Sequence, residues 1–311
     1  MSRSILVADV GATTTRLAIA RKDGALEGVR AIANNKSENL PTMLAEMLDE
    51  AGRRRPFGAV LAVAGPVDGD QITLTNRSWS FSRRELARTL KLKPLVVVND
   101  FTAVAHVLPK FGPADLVAVG GGRGEPRGNL LVCGPGSGFG VAALMRSGGK
   151  PRAISSEAGH MRLGAATADE ARIVAHLVRE YGPAVIEHVL SGPGLVRLHR
   201  FLAGEQSSTE AIIAAARVGN SLARETTDAF LRLFGRIAGD LALAFNALGG
   251  VYLAGGLGRA LESLVPSSPF RAAFEEHPPY QGRLALIPIH VVVHSAPGLV
   301  GAAEIGRSLF R

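Results

Sequence analysis

The stretches "ILVADVGATTTRLA" (residues 5–18) and "LLVCGPGSGFGVAA" (residues 130–143) read alike, and the fold turns on them. Each runs from an apolar strand into a glycine turn and back into an apolar strand. At an offset of 125 residues, Leu6 falls on Leu131, Val7 on Val132 and Gly11 on Gly136. Two halves that open with the same strand–turn–strand suggest a duplicated architecture. Apolar–Gly–apolar patterns are common, so the echo needs support from the rest of the chain.

That support is an alternation of strand and helix signals, which favours an α/β fold. "NLPTMLAEMLDEAG" (39–52) reads as a helix stopped by Gly52, with strands "AVLAVAG" (59–65) and "QITLT" (71–75) behind it. Ser82 and Glu85 stand at capping-box spacing, as do Thr167 with Glu170 and Ser207 with Glu210. Residues 221–248 form a long Ala/Leu-rich helical stretch. "GVYLAGGLG" (250–258) is a strand ending in glycines, "RLALIPIHVVV" (283–293) is β-like, and "PGLVGAAEIGRSLF" (297–310) closes the chain as a helix.

Bulk composition narrows the function classes. The chain has 311 residues, 47% hydrophobic and 20% charged, ordinary for a globular protein. No apolar run reaches the roughly 18 residues of a membrane helix. The opening "MSRSILVADVG" has too short an apolar run for a signal peptide, so a cytoplasmic protein is expected. The single cysteine, Cys133, excludes an internal disulfide and reads as a buried thiol. Basic residues exceed acidic ones by 35 to 27. They are dispersed, and the densest run, "RRELARTLKLK" (83–93), looks like a solvated helix face, so nucleic-acid binding is not expected.

Three glycine turns follow apolar strands, at residues 9–15, 134–140 and 255–258. Backbone N–H groups in such turns can form anion-binding concavities, although any one of them is also an ordinary hairpin turn. No Gly-x-x-x-x-Gly-Lys-Ser/Thr string exists, and a strand follows each of the first two turns where a dinucleotide fold needs a helix. What remains is phosphates held between β-hairpin turns. Asp9, at a strand end beside "ATTT", suits a water-mediated Mg²⁺ contact, and equally a turn bonded to its own backbone.

A fourth stretch, "LVVVNDFTAVAHVL" (95–108), drives a buried strand straight into Asn99 and Asp100 before an apolar helix. The pair reads as a helix cap. It also reads as a polar working tip on a rigid strand, with Asp100 a general base for a hydroxyl.

Eight strings then resemble, in order, the ATP-dependent glucokinases of bacteria, within the hexokinase–actin–chaperone ATPase superfamily. They are "ADVGATTTRLA" (8–18), "LTNRSWSFS" (74–82), "NDFTAVA" (99–105), "GPGSGFGVA" (134–142), "SEAGH" (156–160), "EHVLSGPGL" (187–195), "AGGL" (254–257) and "PGLVGAA" (297–303). The resemblance implies a two-lobed actin-like, ribonuclease-H-like ATPase fold with a central cleft. The small domain would be residues 1–110 plus 298–311, and the large one 111–297. It implies transfer of the ATP γ-phosphoryl group to the 6-hydroxyl of D-glucose, with Mg²⁺. By position it makes Asp100 the catalytic base and places Asn76, Asn99, Glu157, His160 and Glu187 around the sugar. Ala8, Asp9, Val10, Gly11, Ala12 and Thr13 would wrap the phosphates, with Gly136, Ser137 and Gly138 as the second phosphate turn and Gly255 and Gly256 near the adenosine. A homodimer is implied too, though nothing in the sequence itself fixes it.

Two departures stand out. Ala12 replaces the second glycine of the family's first turn, and Thr14 replaces its polar partner. If position 12 needs a positive φ, alanine there adds strain of about 1 kcal/mol. Ser137 for threonine and Ala158 for glycine are milder. A kinase for another hexose, or a sugar or nucleotide sensor that has lost turnover, are the competing readings. A chaperone-like ATPase is disfavoured by the retained sugar-site residues.

Overall fold

The computed structural model describes residues 4–52, 55–75 and 79–310. The chain divides into two compact units, Met1–Lys110 with Ser295–Arg311, and Phe111–His294. The first begins with a hairpin of β1 (Ser4–Val10) and β2 (Thr14–Arg21), followed by β3 (Leu26–Ala33) and α1 (Leu40–Ala51). It continues through β4 (Gly58–Val63), the short strands β5 (Gln71–Thr73) and β6 (Ser80–Ser82), α2 (Arg83–Leu90), β7 (Leu95–Asn99) and α3 (Asp100–Val107).

The second unit restarts with β8 (Leu116–Gly120), β9 (Leu130–Pro135), β10 (Phe139–Met145) and β11 (Arg152–Ser156). Helices α4 (Ala168–Tyr181), α5 (Gly192–Ala203), α6 (Thr209–Arg217) and α7 (Ser221–Ala244) come next. Then follow β12 (Gly250–Leu253), the short helices α8 (Gly256–Ala260), α9 (Phe270–Glu275) and α10 (Gln281–Ala285), and β13 (Ile289–Val292). Helix α11 (Pro297–Arg307) belongs to the first unit again.

The duplication suggested by residues 5–18 and 130–143 is present in the strand orders. The first sheet runs β3-β2-β1-β4-β7 and the second β11-β10-β9-β12-β13-β8. Each has an antiparallel hairpin carrying a third antiparallel strand on one side and two parallel strands on the other. Parallel register aligns Val10 with Val63 and Val63 with Asn99, so β1, β4 and β7 finish level with one another. Ligands of open α/β sheets gather at such carboxyl ends.

Helices cover both faces of the first sheet, which is why its strands are apolar on both sides. Leu6, Ala8, Leu17 and Leu61 pack with Leu40, Leu44 and Leu86 of α1 and α2. Ile5, Val7, Val60 and Ala62 pack with Ala103 of α3 and Leu299 and Ala302 of α11. In the second unit Leu131, Cys133, Val141 and Leu253 join Leu195 of α5 and Phe230 and Phe234 of α7. Truncating a buried phenylalanine in such a core costs about 3–5 kcal/mol. Cys133 is fully buried, and desolvation pushes its thiol up to about 12, as an inert core residue requires.

Local signals place most helix starts. Asn39, Ser82 and Thr167 accept backbone N–H bonds from Thr42, Glu85 and Glu170. The third capping box shifts by one residue: Ser208, not Ser207, caps α6, accepting from Ala211. The β-like run 283–293 also divides, since its first residues finish α10 and only Ile289–Val292 is strand. Arg271 decides this, donating to the carbonyls of Leu284, Ala285 and Ile287, which a helix end leaves unpaired. Among the described residues no helix is long and apolar enough to cross a membrane.

Candidate active site

In the first unit, the expected residues stand on the carboxyl edge of the parallel strands. Asp9 lies near the end of β1, and Asn99 and Asp100 at the end of β7. Strand β4 lies between, so the two edges are about 10 Å apart across the sheet. Asn99 is the N-cap of α3, accepting from Thr102 N–H at 3.2 Å and donating to the Gly65 carbonyl at 3.4 Å. Asp100 is the first residue of that helix, and its Oδ1 accepts from Phe101 N–H at 2.9 Å. Both readings of the pair therefore hold together. Asn99 caps the helix, and Asp100 presents a half-buried carboxylate at its positive end. Asn76 falls outside the described residues.

Asp9 has an unusual setting. Burial pushes its carboxyl up to about 6, against the opposing pull of Arg16, its cross-strand partner. The first turn of α11 presses on it: a Cβ on Gly298 would stand 2.7 Å from the Asp9 Cγ. Only glycine at 298 leaves the carboxylate its space. No group of three or more potential metal ligands exists among the described residues. A lone buried carboxylate does fit Mg²⁺, which keeps several waters and takes few protein ligands beside substrate phosphates.

The turn that follows Asp9 is fixed by a residue that no sequence motif marks. Asn34 is fully buried. Its Nδ2 donates to the Gly11 and Ala12 carbonyls at 2.8 and 3.2 Å, and its own N–H donates to Thr13 O. Its Oδ1 accepts from the Thr15 hydroxyl at 2.7 Å. Inside the turn Gly11 N–H donates to Thr14 O at 3.1 Å. The strain expected at Ala12 does not arise: among the described residues only Lys91 and Asn246 combine a side chain with a positive φ. Asn34 sits in "ANNKSE", which has no periodicity, and only the fold shows its role.

In the second unit, β9 and β12 pair in parallel, which sets the turn 134–140 beside Gly255 and Gly256. Ala254 N–H donates to Cys133 O at 3.0 Å across that pairing. The turn closes through Gly136 N–H to Gly138 O at 2.8 Å, with Ser137 exposed at its tip. Gly192, the first residue of α5, donates to Gly136 O at 2.8 Å.

The proposed sugar residues of this unit converge on Phe139, the last residue of that turn. Glu187 Oε2 accepts from Phe139 N–H at 2.8 Å. Gly159, between Glu157 and His160, lies so close to the Phe139 carbonyl that a Cβ there would be 2.6 Å from it. Glu157 and His160 are exposed, joined by His160 N–H to Glu157 O at 2.9 Å. The Phe139 ring is buried and meets Phe234 edge-on at 5.7 Å, which in turn meets Phe270 at 5.2 Å. His188, next to Glu187, has its ring held below the usual histidine range by burial and by Arg197 and His160, against the raising effect of Glu187.

Comparison with known proteins agrees with this arrangement. The family model for glucokinase matches residues 6–308. A glucokinase of Paramagnetospirillum magneticum is 39% identical over 98% of each chain. One of Chromobacterium violaceum is 36% identical over 96% of this chain and 88% of its own. Among solved structures, glucokinase from an Antarctic psychrotroph superposes with a TM-score of 0.86 at 30% identity, covering 98% of this chain and 99% of that one. The fold is the actin-like ATPase fold that this neighbour shares with more distant sugar kinases, in keeping with the α/β signals and the resemblance.

Proposed function

The chain belongs to the glucokinase family, and from that premise we propose that it transfers the γ-phosphoryl group of ATP to the 6-hydroxyl of D-glucose. The observation that carries the proposal is Asp100: a carboxylate at the open end of a buried strand and the positive end of α3, level with the turn after Asp9.

Phosphoryl transfer needs positioning and charge stabilisation more than covalent chemistry from the protein. Asp100 accepts the proton of the sugar 6-hydroxyl as that oxygen attacks the γ-phosphorus. The new O–P bond forms as the bond to the β-phosphate oxygen breaks, and ADP leaves with that electron pair. Asn99, Glu157, His160 and Glu187, with Asn76, orient the sugar through hydrogen bonds that match hydroxyl groups as donors and acceptors. Residues 8–13 and Gly136–Gly138 hold the phosphates through backbone N–H groups. Gly255 and Gly256 flank the adenosine. Asp9 would hold Mg²⁺ through water, and the ion would supply charge neutralisation on the phosphates. We further propose a cytoplasmic homodimer, since a metabolic kinase acting on free sugar and ATP works where both are present.

The test is ADP release coupled to a reporter, with Mg-ATP and a panel of hexoses. D-Glucose should give the highest kcat/KM. Preference for another hexose by tenfold or more would reassign the substrate, and no sugar-dependent turnover with any hexose would refute a kinase.

A further inference from the structure

Glu187 has two oxygens with different surroundings. Oε2 is bonded to Phe139 N–H, while no hydrogen bond within the described residues occupies Oε1. The geometry points to Glu187 as a positioning residue that ties the sugar side of the site to the phosphate turn, so that the two substrates bind cooperatively through it. This rests on the reading of 134–140 as the nucleotide's phosphate turn.

Three observations support it. First, Gly138 is glycine because of Glu187: a Cβ at 138 would collide with Oε2 and the carboxyl carbon. The approach of carboxylate to turn is therefore built into the sequence at both ends. Second, the segment carrying Glu187 grips the turn again. The Ser191 hydroxyl donates to the Glu187 carbonyl at 2.8 Å and accepts from Gly194 N–H at 3.0 Å, while Gly192 N–H holds the Gly136 carbonyl. Third, the Phe139 side chain is locked into the Phe234–Phe270 stack, so its N–H has little freedom to follow a displaced partner. A carboxylate fixed at Oε2 offers Oε1 to a sugar hydroxyl in a set direction. A sugar that engages Oε1 in turn orders the carboxylate and the turn below it. Linkage then requires that sugar and nucleotide each raise the other's affinity by the same factor.

The experiment measures the dissociation constant of a non-hydrolysable ATP analogue, by calorimetry, with and without saturating glucose. It compares the wild-type chain with Glu187→Ala, Glu187→Gln, Gly138→Ala and Ser137→Asp, each checked for folding by thermal melt. Without glucose, Glu187→Ala and Gly138→Ala should each weaken the nucleotide by about fivefold or more, and glucose should no longer tighten it. The double variant should be no worse than the poorer single one, because both remove the same contact. Glu187→Gln keeps an oxygen for Phe139 N–H, so it should stay within about twofold without glucose while its glucose KM rises. If Ser137→Asp repels the nucleotide but Glu187→Ala leaves its affinity unchanged, the coupling is wrong and the phosphate-turn reading survives. If Ser137→Asp has no effect on the nucleotide, the phosphate-turn reading falls and takes the coupling with it. Should Glu187→Ala fail to fold, Gly138→Ala and Glu187→Gln together decide the same question.

Discussion

The turn after β1 and the turn after β9 occupy equivalent places in equivalent sheets, yet they are held in opposite ways. The first is tied from behind by a neutral amide. Asn34 takes up the carbonyls of Gly11, Ala12 and Thr13 and is itself completely buried. The second is tied from the front by a carboxylate, Glu187, that still has an oxygen to offer a ligand. Duplication thus preserved the backbone path and not the means of fixing it. One turn is a rigid scaffold. The other can answer to what binds next to it.

The largest effect should come from removing the scaffold's tie. Asn34→Ala leaves the Thr15 hydroxyl and up to three carbonyls short of a partner, a loss of about 2–4 kcal/mol. Thermal melts should show a drop of about 5–10 °C, while the glucose KM of the folded fraction stays within about twofold. A rise in glucose KM with no loss of stability would erase the contrast between the turns.

Asp9 probes the first turn through pH. Its folded carboxyl, raised to about 6, binds a proton more readily than the unfolded one at 3.8. The folded state thus holds more protons between those values, and stability falls as pH rises through that window. Part of the side chain still reaches solvent, so the ionised group costs about 1–3 kcal/mol at neutral pH. Asp9→Asn should therefore raise the melting temperature of the ligand-free protein at pH 7.5, flatten its dependence between pH 4 and 6, and lose ATP-dependent turnover. A lower melting temperature at pH 7.5 would show that the carboxylate is paired rather than desolvated.

The smallest effect concerns Ala12. Because its φ is negative, Ala12→Gly should not improve the turn. It should cost about 0.5–1 kcal/mol through a freer unfolded chain and leave nucleotide affinity within about twofold. A tenfold gain in affinity would mean that phosphates need the closer approach of a second glycine.

Much of this is legible in the sequence, for identifiable reasons. Strands β1, β4, β7, β9 and β12 are buried on both faces or nearly so, and buried strands announce themselves as apolar runs. Asn39, Ser82 and Thr167 cap helices through local contacts that spacing reveals. The edge strands β3 and β11 carry no such signal because most of their residues face solvent. The split of 283–293 depends on Arg271, whose reach to three carbonyls is a tertiary fact. In the site, the polar residues at strand ends can be picked out by position. Asn34 and Phe139 cannot, because their work is done on backbone groups distant in sequence or through the core.

The measurement that bears most directly on a glucose kinase with Asp100 as its base separates chemistry from binding at that residue. The kcat of Asp100→Asn is measured by coupled ADP release, and its glucose affinity by calorimetry. A general base that is also one of several sugar contacts should lose about 10²- to 10⁴-fold in kcat while glucose affinity changes by no more than about tenfold. A variant that keeps its kcat within tenfold of the wild-type chain would overturn that role, leaving Asn99 and Asp100 as nothing more than the cap of a helix.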